Sequence, residues 1–176
     1  MIVAQVGLIL VLTPGISGAM IAGELESGGW NMLRATPLST RRVLTGKLMS
    51  VAITLALVLC ASLPGYGIIM VIKPVLQTQV AQVVVSLALT ATVAMLTSAT
   101  VSSFFRSTAA ATTVSYGLLI FLYAGSMLVW ANQGSPFSHA VVERVLSVNA
   151  MAGALNAMEV EGFQIYEGLL RTTWLV

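Results

Sequence analysis

Residues 108–130 read TAAATTVSYGLLIFLYAGSMLVW, an apolar run that contains no charged side chain. A helix needs about 20 such residues to cross the hydrocarbon core of a bilayer. Uncharged runs of similar length occupy residues 1–23, 48–72 and 80–105. Because a lone strand would leave its backbone groups unpaired in lipid, all four runs are predicted to be helices. The sequence therefore predicts an all-α, polytopic transmembrane helical bundle that forms a single domain over residues 1–176.

The composition of the whole chain supports a membrane location. Hydrophobic residues make up 57% of the sequence and charged residues only 8%, with a mean hydropathy of +0.95. Soluble domains carry about 25% charged residues, so a soluble fold of this size could not cover so much apolar surface. The net charge of +2 gives no reason to expect a nucleic-acid partner. The single cysteine, Cys60, excludes an internal disulfide and is expected to pack as a small apolar residue.

The distribution of basic residues predicts the orientation of the spans. Four basic side chains lie between the first and second runs: Arg34, Arg41, Arg42 and Lys47. Arg106 lies between the third and fourth runs, and only Lys73 lies between the second and third. Cytoplasmic loops of membrane proteins are enriched in Lys and Arg. Residues 24–47 and Arg106 are therefore predicted to be cytoplasmic in a plasma-membrane protein. Lys73 and residues 131–168 are predicted to lie outside.

Several local features qualify this picture. Helix interruptions are predicted at Pro14-Gly15, Gly18, Pro64-Gly65 and Gly117. The many Ser and Thr residues of the third run suit either close helix packing, which we favour, or a polar path for a substrate. Residues 140–158 have apolar side chains at helical spacing, as in a helix lying on the membrane surface.

The two ends of the chain suggest a longer protein. Residues 169–176 resemble the entry to a further span, with Trp174 at the interface. The sequence also begins inside an apolar run. We expect a fragment that lacks one helix before and one after, and the alternative is a complete protein of four spans.

The sequence contains no arrangement typical of catalysis. His139 is the only histidine, it lies beside a turn, and no Cys/His cluster suits zinc. Thr45-Gly46-Lys47-Leu48 lacks the first glycine and the final Ser/Thr of a phosphate-binding loop. The spans also lack the ionisable residues that proton-coupled transporters use at membrane depth. We therefore expect no enzyme activity and no bound cofactor in this chain, and expect the energy for any uphill transport to enter elsewhere.

Residues 24–47 form the most polar stretch of the sequence. Glu24 and Glu26 are expected to end the first span, and Gly28-Gly29 to form a turn. Residues 30–34 form a short amphipathic piece that Pro37 ends. Ser39 can cap the next helix, which leads into the second span. From composition alone, an ordinary charged loop with an interfacial helix is the interpretation that we favour.

The same segment resembles the first cytoplasmic loop of ABC-2 type transporter permeases. The resemblance rests on an acidic pair, a glycine, a leucine in a short helix, Thr-Pro-Leu-Ser, two arginines and Gly-Lys, which are here Glu24, Glu26, Gly28, Leu33, residues 36–39, Arg41, Arg42 and Gly46-Lys47. Two positions depart from the usual pattern, Leu25 and Gly29. Residues 61–64 and 102–110 are similar to the branch associated with multicopper-enzyme maturation or sodium export. The resemblance extends over most of residues 14–130.

This resemblance implies a specific function. The chain would be the permease subunit of an ATP-driven transporter, usually an exporter, with six spans of which these are the second to the fifth. It would pair with a second permease subunit, and separate ATP-binding cassette ATPase subunits would bind the ATP. The residues implied to contact the ATPase are Glu24, Glu26, Gly28, Trp30, Leu33, Arg34, Thr36, Pro37, Arg41 and Arg42. The alternatives are a membrane assembly or anchoring subunit that transports nothing and, disfavoured by the uncharged spans, part of a secondary transporter.

Overall fold

The computed structural model describes residues 2–29, 39–132, 137–158, 160–163 and 166. The described residues form α-helices joined by short turns, which confirms the predicted all-α class. The helices are α1 (Ile2–Ser17), α2 (Ala19–Glu26), α3 (Thr40–Ile72), α4 (Gln77–Phe104), α5 (Thr108–Ala131), α6 (His139–Ser147) and α7 (Ala150–Ala157), with a 3-10 turn at Pro74–Leu76 before α4.

Four helical segments are long and apolar enough to cross a membrane. They are Ile2–Glu26, Thr40–Ile72, Pro74–Phe104 and Thr108–Ala131. Each contains most or all of one predicted span, so the number and order of the spans are confirmed. α3 has 33 residues and is about 50 Å long, whereas the hydrocarbon core is about 30 Å thick. The helix is therefore longer than a span needs to be, and its first turn carries the charged side chains of Arg41 and Arg42.

Only one of the predicted interruptions ends a helix. α1 ends at Ser17 and α2 begins at Ala19, so the first span has a local break at Gly18, where the backbone angles nonetheless stay in the helical region. The prediction is wrong for Pro14, which lies inside α1, for Pro64, which lies inside α3, and for Gly117, which lies inside α5. A proline removes a single backbone donor. The hydrogen bonds on either side of it evidently suffice to continue these helices.

The chain forms two compact units. The first contains Met1–Val6, Val58–Thr90 and Ile120–Val176, and the second contains Gly7–Leu57 and Ala91–Leu119. Both units draw on the same long helices, so neither corresponds to a separate stretch of sequence.

The core of the first unit lies where α6 and α7 pack. Its fully buried members are Val142, Leu146, Ala152, Phe163 and Tyr166. Trp130, at the end of α5, stacks on Phe163 with 4.6 Å between ring centroids. His139 stacks on Tyr166 with 4.7 Å between ring centroids. The segment after α5 therefore packs on that helix through aromatic contacts.

Residues 140–158 form two helices where the sequence suggested one. The break lies at Asn149, whose side chain accepts a hydrogen bond from the Met151 N–H at 2.9 Å and so caps α7. The same side chain donates to the Ser126 hydroxyl at 2.6 Å and to the Tyr123 carbonyl at 3.3 Å, both on α5. Asn149 is buried, so these bonds also satisfy its polar atoms. The break allows one side chain to cap α7 and to hold it against α5.

A second polar cluster joins α1 to α3 within the first unit. The Gln5 amide donates to the Ser62 hydroxyl at 2.5 Å, and the Tyr66 hydroxyl donates to the Gln5 carbonyl oxygen at 2.6 Å. Gln5 and Tyr66 are both buried. Hydrogen bonds of this kind help to associate helices in lipid, where the hydrophobic effect does not favour association.

In the second unit, the first span packs closely on α5. A Cβ atom added to Gly18 would lie 3.1 Å from Thr112 Cγ2 and 3.2 Å from Thr112 Cα. The hydroxyl of Tyr116, which lies one turn after Thr112 on α5, donates to the Val11 carbonyl at 2.7 Å. Small residues permit such close approach between membrane helices. Gly18 therefore serves both as the break in the span and as a point of close packing on α5.

The break at Gly18 also leaves N–H groups at the start of α2 without a partner in their own helix, and a side chain of α4 accepts hydrogen bonds from them. The first N–H groups of a helix have no partner within it. The hydroxyl oxygen of Ser102, on α4, accepts from the N–H groups of Ile21 and Ala22, both at 3.0 Å. Other hydroxyls of α4 donate to carbonyls of their own helix, for example Thr90 to Ser86 at 2.8 Å. These contacts favour helix packing over a polar path as the role of the third run.

We predict that Ser102→Ala lowers the free energy of unfolding by about 2 kcal/mol, since it removes the acceptor of the buried Ala22 N–H and the partly buried Ile21 N–H. The neighbouring change Ser103→Ala is the control. The Ser103 hydroxyl is exposed and donates to the Thr100 carbonyl of its own helix. Its loss should change stability by no more than about 0.5 kcal/mol. Equal effects in detergent unfolding curves would show that Ser102 does not stabilise the break.

Candidate functional site

Two glutamates at the end of α2 tie the first span to α3 and α5 within the second unit. Glu24 Oε1 forms an ion pair with Lys47 Nζ of α3 at 2.6 Å. The same Lys47 nitrogen donates to the Met20 carbonyl at 3.0 Å. Both charged side chains are about one-third exposed, at 30% and 31%, so water screens the pair only in part. This contact holds the end of α2 to the second turn of α3.

The second glutamate binds the start of α5. Glu26 Oε2 accepts from the Thr108 N–H at 2.8 Å and from the Thr108 hydroxyl at 2.6 Å. The amino-terminal end of a helix carries a partial positive charge and unpaired N–H groups, which favour a carboxylate at this position. Glu26 therefore caps α5 from another helix. We define the coupling junction as Glu24, Glu26, Lys47 and Thr108.

The turn after α2 forms where the sequence predicted it. Gly28 has a φ of +72°, a left-handed conformation that glycine adopts without steric cost. The preceding residue, Ser27, donates its N–H to the Gly23 carbonyl at 2.9 Å and so ends α2. The chain consequently leaves the helix at a defined point directly after the coupling junction.

Arg41 and Arg42 lie on the exposed first turn of α3. The Ser39 carbonyl accepts from the N–H of Arg42 at 2.9 Å, which confirms that the helix starts here. Positive charge is unfavourable at the amino-terminal end of a helix. Within the described ranges, neither arginine forms an ion pair that would offset this cost. Their charges remain available to lipid headgroups or to a protein partner.

A family comparison covers the coupling junction and most of the chain. The profile described as ABC-2 family transporter protein matches residues 5–153. The chain belongs to the ABC-2 transporter family. No curated protein and no solved structure shows a significant match. The ABC-2 assignment makes the chain a membrane permease subunit of an ABC transporter, and it implies association with an ATP-binding cassette subunit.

The structure brings together only some of the residues that the ABC-2 resemblance implied. Glu24 and Glu26 lie in the coupling junction, Gly28 follows it, and Arg41 and Arg42 begin α3. The remaining five, Trp30, Leu33, Arg34, Thr36 and Pro37, lie outside the described residues, and their contact with an ATPase stays a prediction. The carboxylates of Glu24 and Glu26 make contacts within their own chain, a role that the sequence did not indicate.

The contacts of Ser102 and Thr108 were not predicted, although the sequence carried a signal for both residues. Ser102 and Thr108 both belong to the stretch of residues 102–110 that resembles other ABC-2 permeases. In the structure, both bind the first span, Ser102 through the N–H groups of α2 and Thr108 through Glu26. The resemblance marked these residues without indicating what they contact.

The coupling junction joins residues of three helices. Across the part of the chain that the structure describes, no three His, Cys, Asp or Glu side chains are placed to hold a metal ion. What the junction can do is mechanical. One ion pair and two hydrogen bonds that a single carboxylate accepts connect α2, α3 and α5, so a displacement of any one of these helices acts on the other two.

Proposed function

We propose that this ABC-2 chain is one of a pair of membrane subunits that form the translocation path, and that residues 24–47 receive the motion of a separate ATPase subunit. The coupling junction is the observation that supports this proposal best. The ion pair of the coupling junction joins the two ends of the segment 27–46, because Glu24 precedes this segment and Lys47 follows it. A push on this segment would therefore act at once on α2 and α3, and through Glu26 on α5.

The proposal includes the orientation and the direction of transport. The segment 24–47 faces the cytoplasm of a plasma-membrane protein, where ATP is available to the partner subunit. The bond between Glu26 and Thr108 supports the placement of this segment and of Arg106 on the same side of the membrane. Export is the direction that the resemblance of residues 61–64 and 102–110 to other permeases supports.

The proposal predicts that an ATPase subunit copurifies with the chain. A Walker-motif protein encoded beside this chain should be retained on the tagged permease through detergent extraction, and its ATPase rate should rise in liposomes that contain the permease. A membrane anchoring subunit without transport activity would leave the ATPase rate unchanged. That outcome, obtained with a stable complex, would exclude the transport function proposed here.

Cysteine labelling tests the orientation. Ser39 and Ser138 are both exposed, and they lie before α3 and before α6. In a Cys60→Ala background, Ser39→Cys should react with a membrane-impermeant maleimide only after the cells are opened, whereas Ser138→Cys should react in intact cells. Labelling of both positions from the same side would contradict the orientation.

A further inference from the structure

An apolar groove runs between the second half of α5 and α6 in the first unit. Its volume is about 490 Å³, within the range of roughly 300–1,000 Å³ that is usual for small-molecule sites. Phe121, Leu122 and Val129 line it from α5, and Val145 and Val148 line it from the α6 side. Arg144 supplies the one charged side chain of the lining. The groove therefore offers an apolar channel with a cation at its edge.

The floor of the groove presents no unsatisfied polar group. Gly125 provides depth because it has no side chain, and Ser126 beside it is buried. The Ser126 hydroxyl donates to the Tyr123 carbonyl at 3.0 Å and accepts from the Asn149 amide at 2.6 Å. A molecule in the groove would find no free hydrogen-bonding partner at depth. The floor consequently suits a hydrocarbon chain.

The charge at the rim is positive. Arg144 is exposed, and within the described residues its side chain forms no ion pair. Its neighbour Glu143 is not among the residues that line the groove. An arginine can bind phosphate through two parallel hydrogen bonds.

The groove also opens toward lipid. α5 is one of the membrane-spanning helices, and Phe121 on its lining is 80% exposed. We propose that the groove binds one acyl chain of an anionic phospholipid, whose phosphate pairs with Arg144. The apolar lining favours the acyl chain of the lipid, and Arg144 favours an anionic headgroup. The proposal requires only that α5 crosses the bilayer, and it does not depend on coupling to an ATPase.

Lipid retention tests this proposal. The transporter would be reconstituted in nanodiscs of equal phosphatidylglycerol and phosphatidylcholine, extracted into a delipidating detergent, and weighed by native mass spectrometry. The wild-type chain should retain one phospholipid, mostly phosphatidylglycerol. Arg144→Gln should lower the preference for phosphatidylglycerol about fivefold, since one basic side chain near an anionic surface contributes about 1 kcal/mol. Glu143→Gln, on the same helix, should leave the preference unchanged.

Two variants that fill the groove complete the test. Gly125→Leu and Val148→Trp each place a large side chain in the lining, and each should lower retention at least tenfold. Val148 is exposed, so its replacement does not disturb the core if Gly125→Leu fails to fold. Unchanged retention in a folded filling variant, or an equal preference for both lipids in the wild type, would overturn the proposal. A disulfide-linked dimer formed by Val145→Cys in membranes would instead assign the groove to a second copy of the chain.

Discussion

Replacing Gly18 by leucine is expected to lower the free energy of unfolding by about 3 kcal/mol, the upper end of the usual cost of overpacking. The new Cβ would lie 3.1 Å and 3.2 Å from two atoms of Thr112, and closer still to the Pro14 carbonyl oxygen. One of the Thr112 atoms and the Pro14 oxygen belong to the backbone, so a change of rotamer cannot relieve the contact. The first span would have to move away from α5, and the bond from Tyr116 to Val11 would be strained as well.

Gly117→Leu is the matched control for this change. Gly117 also lies within a membrane-spanning helix, but a Cβ added there would meet nothing within 4 Å. The control should therefore be neutral, or more stable by up to about 1 kcal/mol, because leucine has a higher helix propensity than glycine. Unfolding in mixed micelles measures both variants. A Gly18→Leu variant as stable as Gly117→Leu would contradict the close packing of the first span on α5.

Truncation of Trp30 or Leu33 is expected to weaken binding of the ATPase subunit strongly. Truncating an apolar anchor at an interface commonly costs about 2 kcal/mol or more, which is roughly a 30-fold loss of affinity. Trp30→Ala and Leu33→Ala should each weaken retention of the ATPase subunit by about this factor, and the double variant should abolish it. Because both residues lie in the proposed docking segment, the unfolding midpoint of the isolated permease should stay unchanged.

Arg41→Gln serves as the control for binding. Arg41 is an exposed charge within the same segment, residues 24–47. Exposed ion pairs are worth about 0–1 kcal/mol, so its loss should lower affinity by no more than about fivefold. Normal retention of the ATPase by the Trp30→Ala, Leu33→Ala double variant would remove this segment as the docking site and leave it an ordinary interfacial loop.

The spans could be predicted from the sequence because the requirement that produces them is local. Any stretch of about 20 uncharged apolar residues must become a helix in lipid, whatever its neighbours are. The start of α3 was also predictable, because Ser39 precedes a helical run that begins with Arg41 and Arg42. Gly28 marked the turn after α2 for a similar local reason, since glycine adopts a positive φ without cost.

The contacts that hold the candidate site depend on residues distant in the sequence. Glu26 and Thr108 are 82 positions apart, and Ala22 and Ser102 are 80 apart. A carboxylate at a helix end looks equally suited to water, to a partner or to the start of another helix, and only tertiary packing decides among these. The same holds for the helix breaks. Gly18 and Pro64 looked alike in sequence, but Gly18 lies against Thr112 and coincides with the end of a helix, whereas α3 continues through Pro64.

The central claim, that residues 24–47 transmit the motion of an ATPase to this permease, is tested most directly by photocrosslinking in the assembled transporter. A benzoylphenylalanine would replace Leu33 in one sample and Ser138 in another. We predict that the probe at position 33 forms a covalent product with the ATPase subunit, and that nucleotide changes its yield. The probe at position 138 should form none. A product from position 138 and none from position 33 would contradict both the orientation and the docking segment.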